Sequence, residues 1–195
     1  TRQLAHALAR ARIASLRYDK RGVGASEGGD WRAAGFFDAV DDADRALTFL
    51  AARPEVDSSR LAAIGHSEGA LIAEVAAQND ADICGLVLIS APGRKLGDII
   101  RAQLNANPGN PADLKAEANN ILSALENGQK VPNVPPILAP LFRQSVQPYM
   151  IAELALDPAA LLAALKVPVL ILQGDHDIQV SVDDAKLLAA SKPDA

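Results

Sequence analysis

Gly65, Ser67 and Gly69 are spaced G-x-S-x-G, between a short apolar run at 61–64 and a longer one at 70–77. The first run has the length of a strand end and the second reads as a helix, so the serine falls at the apex of a strand-to-helix turn. That context is what turns a five-residue pattern into a reactive-serine motif. So tight a turn is expected to need both glycines, because a side chain two positions either side of the serine would strike backbone. The serine itself is expected in a strained conformation, its hydroxyl raised clear of the sheet at the start of the helix. Free N–H groups and partial positive charge at that helix terminus favour a developing oxyanion, and Glu68, the next residue, is the candidate donor of one such N–H.

Strands and helices alternate around the motif. Residues 2–11 carry Leu4 and Leu8 one turn apart and read as a helix end. Residues 13–18 read as a strand, and 19–29 as a polar, glycine-rich turn that Asp19 and Arg21 brace. Residues 36–52 are helical, with Val40, Ala43, Leu47 and Leu50 on one face, and Pro54 stops them. Further strands are expected at 61–66, 85–90 and 167–173, and helices at 70–78 and 113–127. A last helix opens after Ser181 with a capping-box pattern. The strands at 85–90 and 167–173 are apolar on both faces, as strands of a covered parallel sheet are. The expected architecture is α/β, a doubly wound and mainly parallel sheet with helices on both faces.

The rhythm breaks between the third and fourth strands. Residues 131–140 hold four prolines and cannot be regular, and Pro148 must kink the helix read at 142–155 or start a new one. This stretch reads as a helical lid, dividing the chain into residues 1–94, 95–157 and 158–195. Leu138, Phe142, Tyr149 and Met150 are candidates to line an acyl pocket. Packing the lid onto the body is the equal alternative.

A serine hydroxyl needs a base to take its proton and a carboxylate to orient that base. Asp175 and Asp177 both follow the 167–173 strand, at the end of the sheet where sites gather. The three histidines fit the base poorly. His6 precedes the turn on a helix, the His66 side chain points away from that of Ser67, and His176 lies too close along the chain to Asp177.

Charge and composition exclude other classes. Nineteen basic against 24 acidic residues give a net charge of −5, and the basic residues are scattered, which argues against a nucleic-acid surface. No apolar run reaches the length that spans a bilayer. Cys84, the single cysteine, leaves no internal disulfide and reads as a buried, inert thiol. No cluster has metal-ligand character, and Gly22, Gly24 and Gly28 lack the spacing of a nucleotide loop. Neither metal nor cofactor is expected.

Arg17-Tyr-Asp-Lys-Arg-Gly-Val-Gly-Ala-Ser26, the Ser67 motif and Gly174-Asp-His-Asp-Ile-Gln-Val180 stand in the order found in α/β hydrolases. Together they resemble the bacterial serine esterases and serine-aminopeptidase-like hydrolases of that family, over nearly the whole chain and most weakly between residues 95 and 157. The resemblance implies cleavage of a carboxylic ester through an acyl-enzyme on Ser67. It selects Asp177 as the triad acid, by the spacing Gly-x-x-Asp-x-x-Val, and makes Asp175 a turn residue. It also implies a base on a loop beyond residue 195, and a strand lying between those at 13 and 61 whose following loop gives a second oxyanion N–H. The chain therefore reads as the middle of such an enzyme. Residues 1–195 alone are expected to be inactive, with the strands at 13 and 61 standing apart or forced together. A peptidase or thioesterase would use the same apparatus. A protein of this fold without the base would be a binding or scaffold module.

Overall fold

The computed structural model describes residues 2–29, 34–79 and 83–193. Three parallel strands, β1 (Leu61–His66), β2 (Ile83–Ile89) and β3 (Val169–Leu172), lie in the order β1-β2-β3. Helix α1 (Arg2–Arg10) and α2 (Phe36–Ala51) precede the sheet, and α3 (Glu68–Asn79) crosses from β1 to β2. Helices α4 (Leu96–Ala106), α5 (Ala112–Glu126), α6 (Ala139–Phe142), α7 (Gln147–Leu154) and α8 (Pro158–Ala164) separate β2 from β3. Helix α9 (Val182–Ser191) follows β3.

Local chemistry sets the boundaries. Asp38 accepts the Gly35 N–H at 2.7 Å and caps α2, and Asp184 accepts the Ser181 N–H and hydroxyl at 3.1 and 2.8 Å at the start of α9. Helix α5 ends where Gly128 takes φ +74°. There the Gly128 N–H bonds the Leu125 carbonyl and the Gln129 N–H bonds the Ala124 carbonyl, a Schellman closure. Pro148 lies in the first turn of α7, where its missing N–H costs nothing, so it starts a new helix rather than kinking an old one.

The sheet is covered on one side. Leu86, Leu88 and Val169 face Ala70, Ala73 and Ala77 of α3, Leu162 of α8 and Leu188 of α9. On the other side Ile64, Val87 and Leu170 stand in register across the three strands. Ile64 and Leu170 are 43% and 52% exposed, so among the described residues the second face carries no covering layer.

The strand expected at 13–18 is not formed. Ile13 and Tyr18 are about half exposed, and the segment joins no ladder. A strand exists only through its neighbour's hydrogen bonds, and among the described residues nothing pairs the outer edge of β1. The 13–18 segment and β1 are not paired. Cys84 is exposed near the start of β2, not buried, because a register irregularity between Leu61 and Ala62 interrupts the alternation there.

A second core lies within the insertion, where Ile100, Ala118, Ile121, Leu122 and Leu125 pack against Leu138, Phe142, Met150 and Leu154. Its proline-rich arm is fastened by one buried side chain. The Gln147 amide donates to the Val131 and Phe142 carbonyls and accepts the Val131 N–H, each at 2.8 Å. A third cluster joins this insertion to the sheet layer, with Phe36 and Val40 of α2 and Leu71, Ile72 and Ala76 of α3 against Tyr149 and Ala152 of α7.

Candidate active site

Ser67 lies between the last residue of β1 and the first of α3, in the left-handed conformation at φ +55°. A β-carbon opposes this conformation, so the surrounding structure must hold it. Two bonds do so: the Ser67 N–H donates to the Ile89 carbonyl at 2.9 Å, and the Ser67 carbonyl accepts the Ala70 N–H at 2.9 Å. The two glycines differ from the expectation. A β-carbon at Gly65 would strike the Gly69 carbonyl and the Ala70 Cα, so only glycine fits there. At Gly69 an added β-carbon would meet nothing within 4 Å, so collision is not the reason for that glycine.

Glu68 opens α3, where the first N–H groups have no intrahelical acceptor. Its carboxylate is held from two directions. Lys20 donates to Oε2 at 3.0 Å and the Tyr149 hydroxyl donates to Oε1 at 2.8 Å. Lys20 comes from the glycine-rich turn, which Arg21 anchors to α2 through a two-pronged bond to Asp42, at 2.8 and 2.7 Å, and further bonds to Asp38. The Arg21 hydrogen bond holds the Asp42 carboxyl below its usual range. Asp19 stays within the turn, its carbonyl accepting the Ser26 hydroxyl at 2.7 Å. Both residues therefore brace the turn, as their sequence positions suggest.

Behind Tyr149, one turn further along α7, Glu153 is buried. Burial first, and then the Glu68 charge, push its carboxyl up to about 7, against the opposing pull of Lys20. Burial and Glu68 likewise push the Tyr149 phenol up.

Asp177 and Asp175 occupy different environments. Asp177 Oδ1 accepts the Gln179 and Val180 N–H groups at 2.8 and 3.1 Å. The Val180 and Gln179 N–H groups, followed by the Ser90 side chain, lower its pKa by stabilising the carboxylate. Asp175 projects into solvent and, among the described residues, meets only His176 Nδ1, at 2.6 Å, both side chains being almost fully exposed. His6 and His66 are exposed as well, and among the described residues no histidine ring hydrogen-bonds Ser67 or Asp177.

Of the four insertion residues named from the sequence, three lie in the insertion's own core. Phe142 is fully buried, and Leu138 and Met150 are nearly so, leaving them no free surface toward a ligand in this conformation. Tyr149 is the exception, reaching the residue next to Ser67. Sequence reasoning missed Ser90, Lys20 and Glu153. Ser90 had a readable signal, since it follows an apolar parallel strand just as Ser67 does. Among the described residues no group of three or more histidine, cysteine or acidic side chains could hold a metal, and no helix is long and apolar enough to cross a membrane.

Known proteins are similar to this chain in sequence and architecture. The family described as serine aminopeptidase, S33, matches residues 1–117. Esterase EstD of Thermotoga maritima is 31% identical over 153 residues, covering 77% of this chain and 34% of its own length, so the chain spans about a third of that relative. Among solved structures, the α/β hydrolase GrgF from a Penicillium species superposes with a TM-score of 0.64 at 15% identity, over 97% of this chain and 71% of that one. An esterase from Pyrococcus furiosus does so with a TM-score of 0.59 at 20% identity, over 99% of this chain and 63% of its own. The fold is thus that of the α/β hydrolases, and with the family match spanning more than half its length the chain belongs to the serine aminopeptidase family S33.

Proposed function

We propose that this chain carries the nucleophile and the acid of a serine hydrolase that cleaves carboxylic esters. The observation that carries the reading is Ser67, held left-handed at the β1–α3 turn with its hydroxyl at a helix N-terminus. A histidine base removes the Oγ proton as Oγ attacks the ester carbonyl, and the carbonyl π-electrons move onto oxygen. The Glu68 N–H, with a second donor, stabilises that oxyanion. The intermediate collapses, the alkoxide leaves with the proton from the base, and the acyl group stays on Ser67. Water, activated by the same base, then releases the acid. Asp177 orients the base, which is a histidine other than His6, His66 and His176. The helical insertion acts as the lid over this edge of the sheet.

Two relatives are named esterases, which favours an ester; the family's description names an aminopeptidase, which favours an amide. Both chemistries use one acyl-enzyme, so the substrate panel decides between them. The test treats full-length protein with a fluorophosphonate probe and locates the adduct by mass spectrometry, with nitrophenyl esters and aminoacyl nitroanilides assayed in parallel. The adduct is expected on Ser67, absent in Ser67→Ala, with ester turnover exceeding amide turnover. An adduct on another serine overturns the assignment of Ser67, and no adduct at all overturns the enzyme reading and leaves a binding module of hydrolase fold.

A further inference from the structure

Both oxygens of the Glu68 carboxylate are occupied by donors remote in sequence. Lys20 lies 48 residues before it and Tyr149 lies 81 residues after it. Such convergence on the residue that follows Ser67 is more than solvation requires, because a half-buried carboxylate at a helix start still reaches water. The Tyr149 ring is itself fixed. It meets the Phe36 ring edge-on at 5.8 Å and 74°, and Phe36 is fully buried at the first residue of α2. The hydroxyl thus comes from a ring that α2 and α7 hold between them, and it ends on the first residue of α3.

We propose that Tyr149 is a positioning residue: by binding the Glu68 side chain from the helical insertion, it fixes the first turn of α3 and with it the Glu68 N–H that faces the oxyanion. The proposal rests on the reading of Ser67 as nucleophile and of the Glu68 N–H as oxyanion donor. The physical argument is one of aim. A donor helps the transition state only when it points at the place where charge will develop, and small displacements cost large factors in rate. Glu68 is where the backbone leaves the strained serine and enters the helix, so it is the residue of the first turn least restrained by helical bonds. A charge-assisted hydrogen bond from a phenol is a strong restraint on it. It also makes the aim depend on the insertion being seated, since α7 carries the tyrosine. Tyr149 thereby acts through Glu68 and need not touch the substrate.

The experiment uses full-length protein and a nitrophenyl ester. Tyr149→Phe keeps the ring and its contact with Phe36 and removes only the hydroxyl. The expected result is a fall in kcat of about tenfold, the usual effect of losing one hydrogen bond to a charged group, with KM and melting temperature little changed. Fluorophosphonate labelling of Ser67 should slow in parallel. Glu68→Ala should give a similar fall, and adding Tyr149→Phe in that background should cost nothing further. Unchanged kcat in Tyr149→Phe overturns the proposal. So do additive losses in the double variant, or a loss confined to KM, which would make Tyr149 a substrate contact instead. If wild-type protein takes no label at Ser67, the reading beneath the proposal fails with it. Normal labelling of the wild type together with an indifferent Tyr149→Phe sinks the proposal alone.

Discussion

Ser67 and Ser90 end adjacent strands in the same left-handed conformation, at φ +55° and +48°, and each passes its N–H to the next strand, Ser67 to the Ile89 carbonyl and Ser90 to the Leu172 carbonyl. The two serines form a stair along the C-terminal edge of the sheet. The Ser90 side chain also helps to lower the Asp177 pKa, so the stair runs from the candidate nucleophile to the candidate acid. Asp177→Asn should lower kcat by about 10⁴-fold, the size of effect seen when a triad acid loses its charge. Asp175→Asn, on a solvent-facing side chain, should change it little. Steady-state kinetics on the pair decide the assignment, and a larger loss from Asp175→Asn reverses it.

The unequal glycines of the turn give a second test. Gly65→Ala forces a β-carbon into the Gly69 carbonyl and the Ala70 Cα and should cost about 2–4 kcal/mol in denaturant unfolding, with loss of activity. Gly69→Ala meets open space inside a helix and should be neutral or stabilising by up to about 1 kcal/mol. Equal damage from both would restore the view that each glycine is there to avoid collision.

Glu74 is buried on α3, and among the described residues neither carboxylate oxygen has a hydrogen-bond partner. Burial pushes its carboxyl from 4.5 up to about 8. The folded chain therefore keeps a proton that the unfolded chain releases, and stability falls as pH rises from 4.5 to about 8, then levels off. Glu74→Met should remove this contribution to the slope. It should be more stable than wild type by about 1–3 kcal/mol at pH 8, with a smaller difference at pH 5. Parallel denaturant titrations at the two pH values check it; an unpartnered carboxyl that gave a flat profile would mean the site is hydrated.

Asp184, fully buried, joins α9 to the segment after β2. It accepts the Gly93 and Arg94 N–H groups, each at 3.2 Å, and two guanidinium bonds from Arg94 at 2.9 and 2.7 Å. Burial opposes its charge, but Arg94 and Ser181 overcome that and hold the carboxyl below its usual range. A depressed acid stabilises fully above its unfolded value of 3.8 and loses that contribution as pH falls below it. Asp184→Asn should cost about 2–4 kcal/mol at pH 7, less than a wholly buried pair because Arg94 is partly solvated. The cost should shrink in acid; a pH-independent deficit would point to lost packing instead.

Phe142 tests what the insertion's apolar residues do. Its complete burial predicts that Phe142→Ala costs about 3–5 kcal/mol, read as a lowered melting temperature. A changed preference for acyl chain length at unchanged stability would return Phe142 to the pocket.

The positions of β1, β2 and β3, the capping of α9 and the turn at Ser67 were legible in the sequence because each rests on local chemistry: apolar runs, a Ser-x-x-Asp box, a G-x-S-x-G turn. Helix α8 was not read, being only seven residues long, and α4 was not read although Leu96, Ile99, Ile100 and Leu104 recur in it at helical spacing. The segment 13–18 has the composition of a strand, yet strand formation depends on a neighbour that composition does not describe. From the sequence Tyr149 is equally a candidate for pocket lining or for packing, because aromaticity alone does not reveal that a hydroxyl will meet a carboxylate 81 residues away.

Helix α7 is only eight residues long, yet it grips the proline-rich arm through Gln147, the insertion's core through Met150 and Leu154, and the α2–α3 layer through Tyr149 and Ala152. It is therefore the wrong place to cut when building chimeras. An insertion transplanted from another hydrolase should be exchanged as one block, from the start of α4 to beyond the end of α7. A splice inside α7 would hand its three sets of contacts to partners that do not fit them.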